Sequence, residues 1–340
     1  MIKKLSCFCV VLAIILSLPS CQREPQSETI TPKTRTFYEY FDTVGTFYDY
    51  TGSDDAEFSA LADMVEDMLS EYHKLYDIYH TYPDVVNIRT INDNAGGEPL
   101  VVDEKIIDLL TYSKEVYTIT KGNTNIAMGA VLSIWHEHRT NLKTLPSKES
   151  LAKAGEHTDM NNLVIDTKNS TVQLLDPEMS LDVGAIAKGF AVEEIAKELE
   201  KLGKSGYVLD VGGNLRAIGT KENGDGWKTG VKNPDKTSTE RYIYKLTLKN
   251  AAIATTGTYE RYFVVGGKEY HHVIDKDTLI PTDRYLSVSV RSPSSALSDA
   301  LSTGFFGMER DEIEEIVNKN KNLFVIVVTN DGELLTFGNE

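Results

Sequence analysis

The chain carries three cysteines, Cys7, Cys9 and Cys21, and all lie within the first 21 residues. Everything after Cys21 must therefore fold without a disulfide, a cysteine nucleophile, cysteine-ligated zinc or an iron–sulfur cluster. What remains to hold it is a hydrophobic core. With 41% hydrophobic and 25% charged residues, the chain has the composition for one, and wholesale disorder is excluded. At 340 residues it has room for one large domain or two ordinary ones. A formal net charge of −16 argues against the basic face of a nucleic-acid binder, so no nucleic-acid partner is expected. No run of about 20 apolar residues lies within the body, which excludes a multispan membrane protein.

The N-terminus reads as an export signal. Lys3 and Lys4 precede an apolar stretch from Leu5 to Leu18, too short for a comfortable membrane span. Leu18-Pro19-Ser20-Cys21 then resembles the lipobox of bacterial lipoproteins. That resemblance implies cleavage before Cys21, lipidation of Cys21, and an extracytoplasmic chain held to a bacterial membrane by its lipid alone. Removing residues 1–20 would take away two lysines and leave a net charge of −18. Polar residues 22–36, with Pro25 and Pro32, suggest a flexible tether. The expected organisation is a signal over 1–20, a tether over 21–36 and a domain over 37–340.

Within the body, apolar residues at steps of three and four predict helices over Asp54–Leu75, Asp103–Thr118, Lys188–Leu202, Ser295–Phe306 and Glu309–Lys319. Strand-type runs fall at Asn162–Asp166, Thr171–Leu175, Tyr207–Val211, Tyr242–Leu248, Tyr262–Val265, Leu286–Arg291 and Leu323–Val328. Several alternate polar and apolar residues, as expected of antiparallel sheet covered on one face. The runs cluster instead of alternating strictly with helices, which points to an α+β fold of antiparallel sheets with helices, in a single unit of two interleaved halves.

Common catalytic signatures are missing. There is no G-x-G-x-x-G, no Walker A loop, no H-E-x-x-H and no G-x-S-x-G elbow. His136/His138 and His271/His272 are close pairs, but a histidine pair alone does not define a metal site.

Four segments carry chemistry. In Ser180-Leu-Asp182-Val-Gly184-Ala185-Ile-Ala-Lys188-Gly189, an apolar run gives way to Asp, Gly and a helix. This suits an anion site built from backbone N–H groups and Lys188, or an ordinary turn with Asp182 as helix cap. Asp210-Val-Gly212-Gly213-Asn214 allows close backbone approach, or a tight turn. Thr255-Thr256-Gly257-Thr258-Tyr259-Glu260-Arg261 offers small hydroxyls and a guanidinium to phosphate, and His271-His272-Val273-Ile274-Asp275 offers a proton shuttle; the alternative is a hairpin with a satisfied histidine. Asp299, Ser302 and Thr303 fall within one helical turn as an all-oxygen set suited to Mg²⁺, unless the hydroxyls merely bond back to the helix.

In this order, the motifs Leu181-Asp-Val-Gly-Ala-Ile-Ala-Lys-Gly-Phe, Gly212-Gly-Asn, Thr256-Gly-Thr-Tyr-Glu-Arg-Tyr, His271-His-Val-Ile-Asp and Asp299-Ala-Leu-Ser-Thr resemble the ApbE family of bacterial flavin transferases. The resemblance runs from about Asp42 to the C-terminus. It implies a fold of duplicated T-fold type and a Mg²⁺-dependent reaction. FAD is cleaved at its pyrophosphate, FMN is attached through a phosphoester to a Thr or Ser hydroxyl of an acceptor flavoprotein subunit, and AMP is released. By correspondence, Asp299, Ser302, Thr303 and the Ala185 carbonyl are metal ligands. Val44, Tyr79, Asn125, Ile126, Ala127, Asp182, Lys188, His272 and Val273 are FAD contacts, with Tyr79 the aromatic expected to stack on the isoalloxazine. Val44 stands where the family has Met, and Asn125-Ile126-Ala127 departs from its usual stretch. We expect His272 as the general base, oriented by Asp275. Two alternatives use the same residues: an FAD pyrophosphatase releasing FMN and AMP, and a non-catalytic flavin-binding lipoprotein.

Overall fold

The structure, a computed structural model, describes residues 31–340. The signal, Cys21 and most of the expected tether lie outside the described residues. Residues 32–340 form one unit.

Strands β1 (Lys33–Tyr40) and β2 (Thr43–Asp49) lead into α1 (Asp55–Tyr76), α2 (Ile88–Asp93), β3 (Leu100–Val101) and α3 (Glu104–Ile119). There follow α4 (Gly129–Glu137), α5 (Lys148–Gly155), β4 (Leu163–Asp166), β5 (Thr171–Leu174), α6 (Ala187–Lys201), β6 (Tyr207–Val211), β7 (Asn214–Ile218), β8 (Trp227–Lys232) and β9 (Tyr242–Leu248). The chain ends with β10 (Ala252–Gly257), β11 (Tyr262–Val265), β12 (Lys268–His271), β13 (Tyr285–Ser292), α7 (Ser295–Phe306), α8 (Arg310–Lys319), β14 (Phe324–Thr329) and β15 (Leu334–Gly338).

The main sheet has eight strands in the order β1-β2-β6-β7-β10-β13-β14-β15, every neighbouring pair antiparallel. The α+β class with antiparallel sheets is therefore as expected. The four strands that come first in sequence (β1, β2, β6, β7) meet the last four (β10, β13, β14, β15) at a short seam, where only Ala252↔Arg216 and Ile253↔Leu215 pair. One boundary needs correction. Residues 33–36, assigned to the tether, belong to β1 and pair with Thr46–Asp49. Their alternation is visible only through Phe37, the one fully buried residue of β1.

One sheet face carries the larger core. Phe47 stacks on Tyr207 at 5.3 Å between ring centres, and Leu61, Val65 and Leu69 of α1 and Ile195 and Leu199 of α6 close over them. Burying each such side chain is worth about 1.5–3 kcal/mol. The opposite face is covered by the β8–β9 hairpin through Trp227, Leu246 and Leu248. Helices α6 and α7 pack against each other over the seam. Helix α7 starts cleanly because the Ser294 hydroxyl accepts the Leu297 N–H, and it is buried over most of its surface. The motif segments 181–190 and 299–303 ride on this pair of helices and the loop entering α6; the others lie on the β6–β7 turn, on β10 and on the β11–β12 hairpin.

Candidate active site

The centre of the site is the contact between α6 and α7. The Gly189 N–H donates to Asp299 Oδ2 at 2.8 Å, linking the first turn of one helix to the carboxylate of the other. A side chain at 189 would not fit, because its Cβ would stand 2.3 Å from Asp299 Cβ and 2.5 Å from the Ser295 carbonyl. Asp299 is buried, which raises its carboxyl above the ordinary range, while the Lys188 charge, the Gly189 N–H and the Asn214 side chain oppose that rise. Asn214 is presented by the Gly212-Gly213 turn between β6 and β7. Both glycines have positive φ, and the Gly212 N–H bonds to the Val44 carbonyl.

This corner fits the oxygen set expected for Mg²⁺. An α-helix would send the Gly189 N–H to the carbonyl four residues back, Ala185. That amide goes to Asp299 instead, while Phe190 N bonds to the Ile186 carbonyl. Among the described residues the Ala185 carbonyl accepts no backbone hydrogen bond. An uncommitted carbonyl, a buried carboxylate and the part-exposed Thr303 hydroxyl are hard oxygen donors of the kind Mg²⁺ takes. Ser302 is placed differently from expectation. It is buried, its hydroxyl donates to the Asp299 carbonyl at 2.9 Å, and its oxygen lies 2.9 Å from Thr256 Oγ1. Its proton and one lone pair are used inside the protein, and burial keeps the rest of the hydroxyl from solvent. Among the described residues no three His, Cys, Asp or Glu side chains gather as a metal site, and neither histidine pair forms one: His136 bonds Arg139 and His138 bonds Thr144.

Asp182 sits before the turn into α6. Its N–H bonds to the Ile126 carbonyl and its Oδ1 accepts the Gly184 N–H at 2.9 Å. It does not cap α6, which begins five residues later. Burial raises its carboxyl, opposed by the Gly184 N–H, Arg261, His136 and Lys188. Lys188 thus acts on both Asp182 and Asp299, and its Nζ also reaches the Gly184 carbonyl at 3.3 Å.

His272 follows β12. Its Nδ1 lies 3.2 Å from the Arg261 carbonyl, which can only accept, so the proton is on Nδ1 and the lone pair is on Nε2. Burial and the neighbouring Arg261 charge lower its pKa to about 3, so the ring is neutral at physiological pH. Asp275 does not orient it. The Asp275 carboxylate accepts the N–H groups of Asp277 and Thr278 and the Thr278 hydroxyl, closing the turn after the hairpin. The Arg261 carbonyl holds the ring instead.

Tyr79 stands on a loop organised by buried Asp77. That carboxylate accepts the Tyr79 N–H at 2.6 Å, the His80 N–H at 3.1 Å and the Tyr82 hydroxyl at 2.8 Å. The Tyr79 ring is 47% exposed and rests against His136, 5.4 Å between ring centres. His136 is in turn bonded through Nδ1 to Arg139 Nη2 at 3.1 Å. The charges of Asp182 and Arg261 act on Tyr79 as well.

Three of the residues expected to contact FAD are buried. Ile126 and Ala127 are buried in the main core, and Val273 is buried in the core beneath α7. Their apolar side chains are packed away from solvent, and Val273 spends its carbonyl on Thr282 N. Asn125 pins this stretch: its Oδ1 accepts the Ala127 N–H and its Nδ2 donates to the Thr158 carbonyl. Val44, by contrast, is 51% exposed beside the Gly212 turn. Thr256, Asn214, His136 and Arg139 join the site although sequence reasoning had not assigned them there. The first two lay in motifs already noted, and His136 in a histidine pair set aside as a metal site, whereas Arg139 had no motif around it.

The ApbE family model matches residues 44–327. The chain belongs to the ApbE family. The FAD:protein FMN transferase of Haemophilus influenzae is 27% identical over 342 aligned positions, covering 98% of this chain and 96% of that protein. The FAD:protein FMN transferase of Treponema pallidum is 31% identical over 234 positions, 64% of each chain. Among solved structures, the ApbE protein of Thermotoga maritima superposes with a TM-score of 0.80 at 25% identity, covering 90% of this chain and 97% of that one. The flavin transferase ApbE of Vibrio cholerae shares the fold, with a TM-score of 0.73 at 23% identity and coverage of 90% and 98%. Within this chain, Asn214 and Lys188 act on Asp299, and Lys188 and Arg261 act on Asp182, which links the segments around these two carboxylates.

Proposed function

We propose that this protein transfers FMN from FAD to a Thr or Ser hydroxyl of an acceptor protein, forming a phosphoester and releasing AMP. The observation that carries this reading is the junction of α6 and α7. There the Ala185 carbonyl, Asp299 and Thr303 offer oxygen donors and Lys188 a positive charge, and beside Arg261, whose charge acts on Asp182, His272 keeps a neutral Nε2.

Bound at Ala185, Asp299 and Thr303, Mg²⁺ would neutralise charge on the pyrophosphate and favour attack at phosphorus. Lys188 adds a fixed positive charge for the phosphate oxygens, and Tyr79 offers a ring face to the isoalloxazine. His272 Nε2 takes the proton from the acceptor hydroxyl. The hydroxyl oxygen bonds to the FMN phosphorus, the pyrophosphate P–O bond breaks, and AMP leaves with the bridging oxygen. The chain needs no nucleophile of its own, which agrees with a body free of cysteine. In this reading the Leu18-Pro19-Ser20-Cys21 stretch anchors the enzyme by lipid outside the cytoplasmic membrane, where it would meet exported acceptors.

The test is a mass-spectrometric transfer assay with FAD, Mg²⁺ and an acceptor carrying an accessible Thr site. A mass gain of one FMN on the acceptor, abolished by EDTA and accompanied by AMP, is the expected result. AMP and free FMN without modified acceptor would replace this reading with a pyrophosphatase. Unchanged bound FAD would leave only flavin binding.

A further inference from the structure

Thr256 is the penultimate residue of β10, and its side chain is buried against α7. Its Oγ1 lies 2.9 Å from Ser302 Oγ and 3.2 Å from Thr303 Oγ1, and Ser302 Oγ lies 2.9 Å from the Asp299 carbonyl. These are three hydrogen bonds shared among three hydroxyl protons. The Asp299 carbonyl can only accept, so Ser302 gives it its one proton. The Thr256–Ser302 bond must then use the proton of Thr256. The Thr256–Thr303 bond must in turn use the proton of Thr303. Only this direction makes all three bonds at once.

We propose that Thr256 is a positioning residue that fixes the hydroxyl of Thr303 as a pure electron-pair donor toward the cleft. The proton of Thr303 is turned inward to Thr256, and its lone pairs remain for a cation. So directed, Thr303 cannot donate to a phosphate oxygen, and its contribution is restricted to metal binding. The same chain takes the proton and one lone pair of Ser302, which is also buried, whereas Thr303 is part-exposed and keeps both lone pairs, so the two neighbouring hydroxyls are not equivalent ligands. The inference rests on the reading of this corner as a Mg²⁺ site. It goes beyond that reading by assigning the direction of the hydroxyl chain and the residue that sets it.

The test is divalent-metal binding to the full chain without FAD, read by Mn²⁺ electron paramagnetic resonance and by Mg²⁺ calorimetry. Thr256→Val keeps the shape and removes the hydroxyl. It should weaken metal binding at least about tenfold, the usual cost of losing a residue that orients a ligand. Thr256→Ser keeps the hydroxyl and should bind within about threefold of the parent. Metal-free melting temperatures, expected to stay close to the parent, separate positioning from folding. Should Thr256→Val fail to fold, Thr256→Ala takes its place with the same expectation. Parent-like metal binding by the Val or Ala variant would overturn the proposal and leave the metal site standing, as would a Ser variant as weak as Val. If the parent itself binds neither Mn²⁺ nor Mg²⁺, the reading of the corner as a metal site fails, and the proposal with it.

Discussion

The Gly189 N–H and the Asp299 carboxylate are 2.8 Å apart, and that single bond both joins two helices and frees a carbonyl for a ligand. A Gly189→Ala variant should therefore fail in two ways. Its methyl would enter space held by Asp299 Cβ and the Ser295 carbonyl, forcing α6 from α7 at a cost of about 1–3 kcal/mol. The displaced amide would also leave Asp299 misplaced, so metal binding should fall together with the melting temperature. Calorimetry and thermal melting on one sample check this. A variant that melts normally and binds Mg²⁺ normally would show that the helix contact is not what shapes the corner.

Asp275 gives a contrasting case. Burial would raise its carboxyl, but the Thr278 amide and hydroxyl and the Asp277 amide hold it below the usual range. Those donors belong to its own turn, and none is His272. Asp275→Asn should therefore cost about 1 kcal/mol of stability and leave the transfer rate within a few-fold of the parent. A steady-state assay at a temperature well below melting decides it. A loss of a hundredfold or more would return Asp275 to the proton-transfer machinery.

Much of this was legible in the sequence because the helices around the site bury one face with regular spacing. Leu61, Val65 and Leu69 define α1, and Ile195 and Leu199 define α6. Part of what was missed was spelled in small or polar residues, although α4 (Gly-Ala-Val-Leu-Ser-Ile-Trp-His-Glu) and β15 (Leu-Leu-Thr-Phe-Gly), both rich in apolar residues, were missed as well. Strand β10 reads Ala-Ile-Ala-Thr-Thr-Gly, because a central strand under close-packed α7 has little room for large side chains. Strand β1 reads as polar tether because only Phe37 turns into the core. Within the site, motifs located Asp299 and Lys188. They could not reveal that Ile126, Ala127 and Val273 are core residues, since an apolar side chain beside a ligand and one beneath it look alike in sequence. His136 and Arg139 were invisible as site residues for another reason. Only the fold brings the end of α4 to the loop carrying Tyr79.

Tyr79 offers its ring on a loop already fixed by Asp77, so little ordering is needed when a flat ligand arrives. Stacking of a ring on an aromatic side chain is worth about 1–3 kcal/mol. Tyr79→Ala should accordingly weaken FAD binding by roughly tenfold or more, with Tyr79→Phe near the parent because stacking uses the ring face and not the hydroxyl. Quenching of flavin fluorescence on titration measures both. Equal affinity for the Ala variant and the parent would move the isoalloxazine elsewhere in the cleft.

His272 leads to an expectation about pH. Burial and the Arg261 charge lower its pKa from 6.5 to about 3, so in the folded protein it stays neutral across the range where an ordinary histidine would protonate. An ordinary histidine base would cost kcat/KM about tenfold between pH 7.5 and 5.5; with His272 as base, no such acid limb should appear. The sign for stability follows from the same shift. Between about pH 6.5 and pH 3 the unfolded chain binds a proton at this residue and the folded chain does not. The folded state is thus favoured fully above about pH 6.5 and loses that advantage as the pH falls. A His272→Gln variant should lose less melting temperature than the parent on acidification from pH 7.5 to 5, while its transfer rate should collapse at every pH. A parent whose kcat/KM titrates near 6.5, with a parallel loss in Tm for both proteins, would mean that the imidazole is exposed and that another group takes the proton.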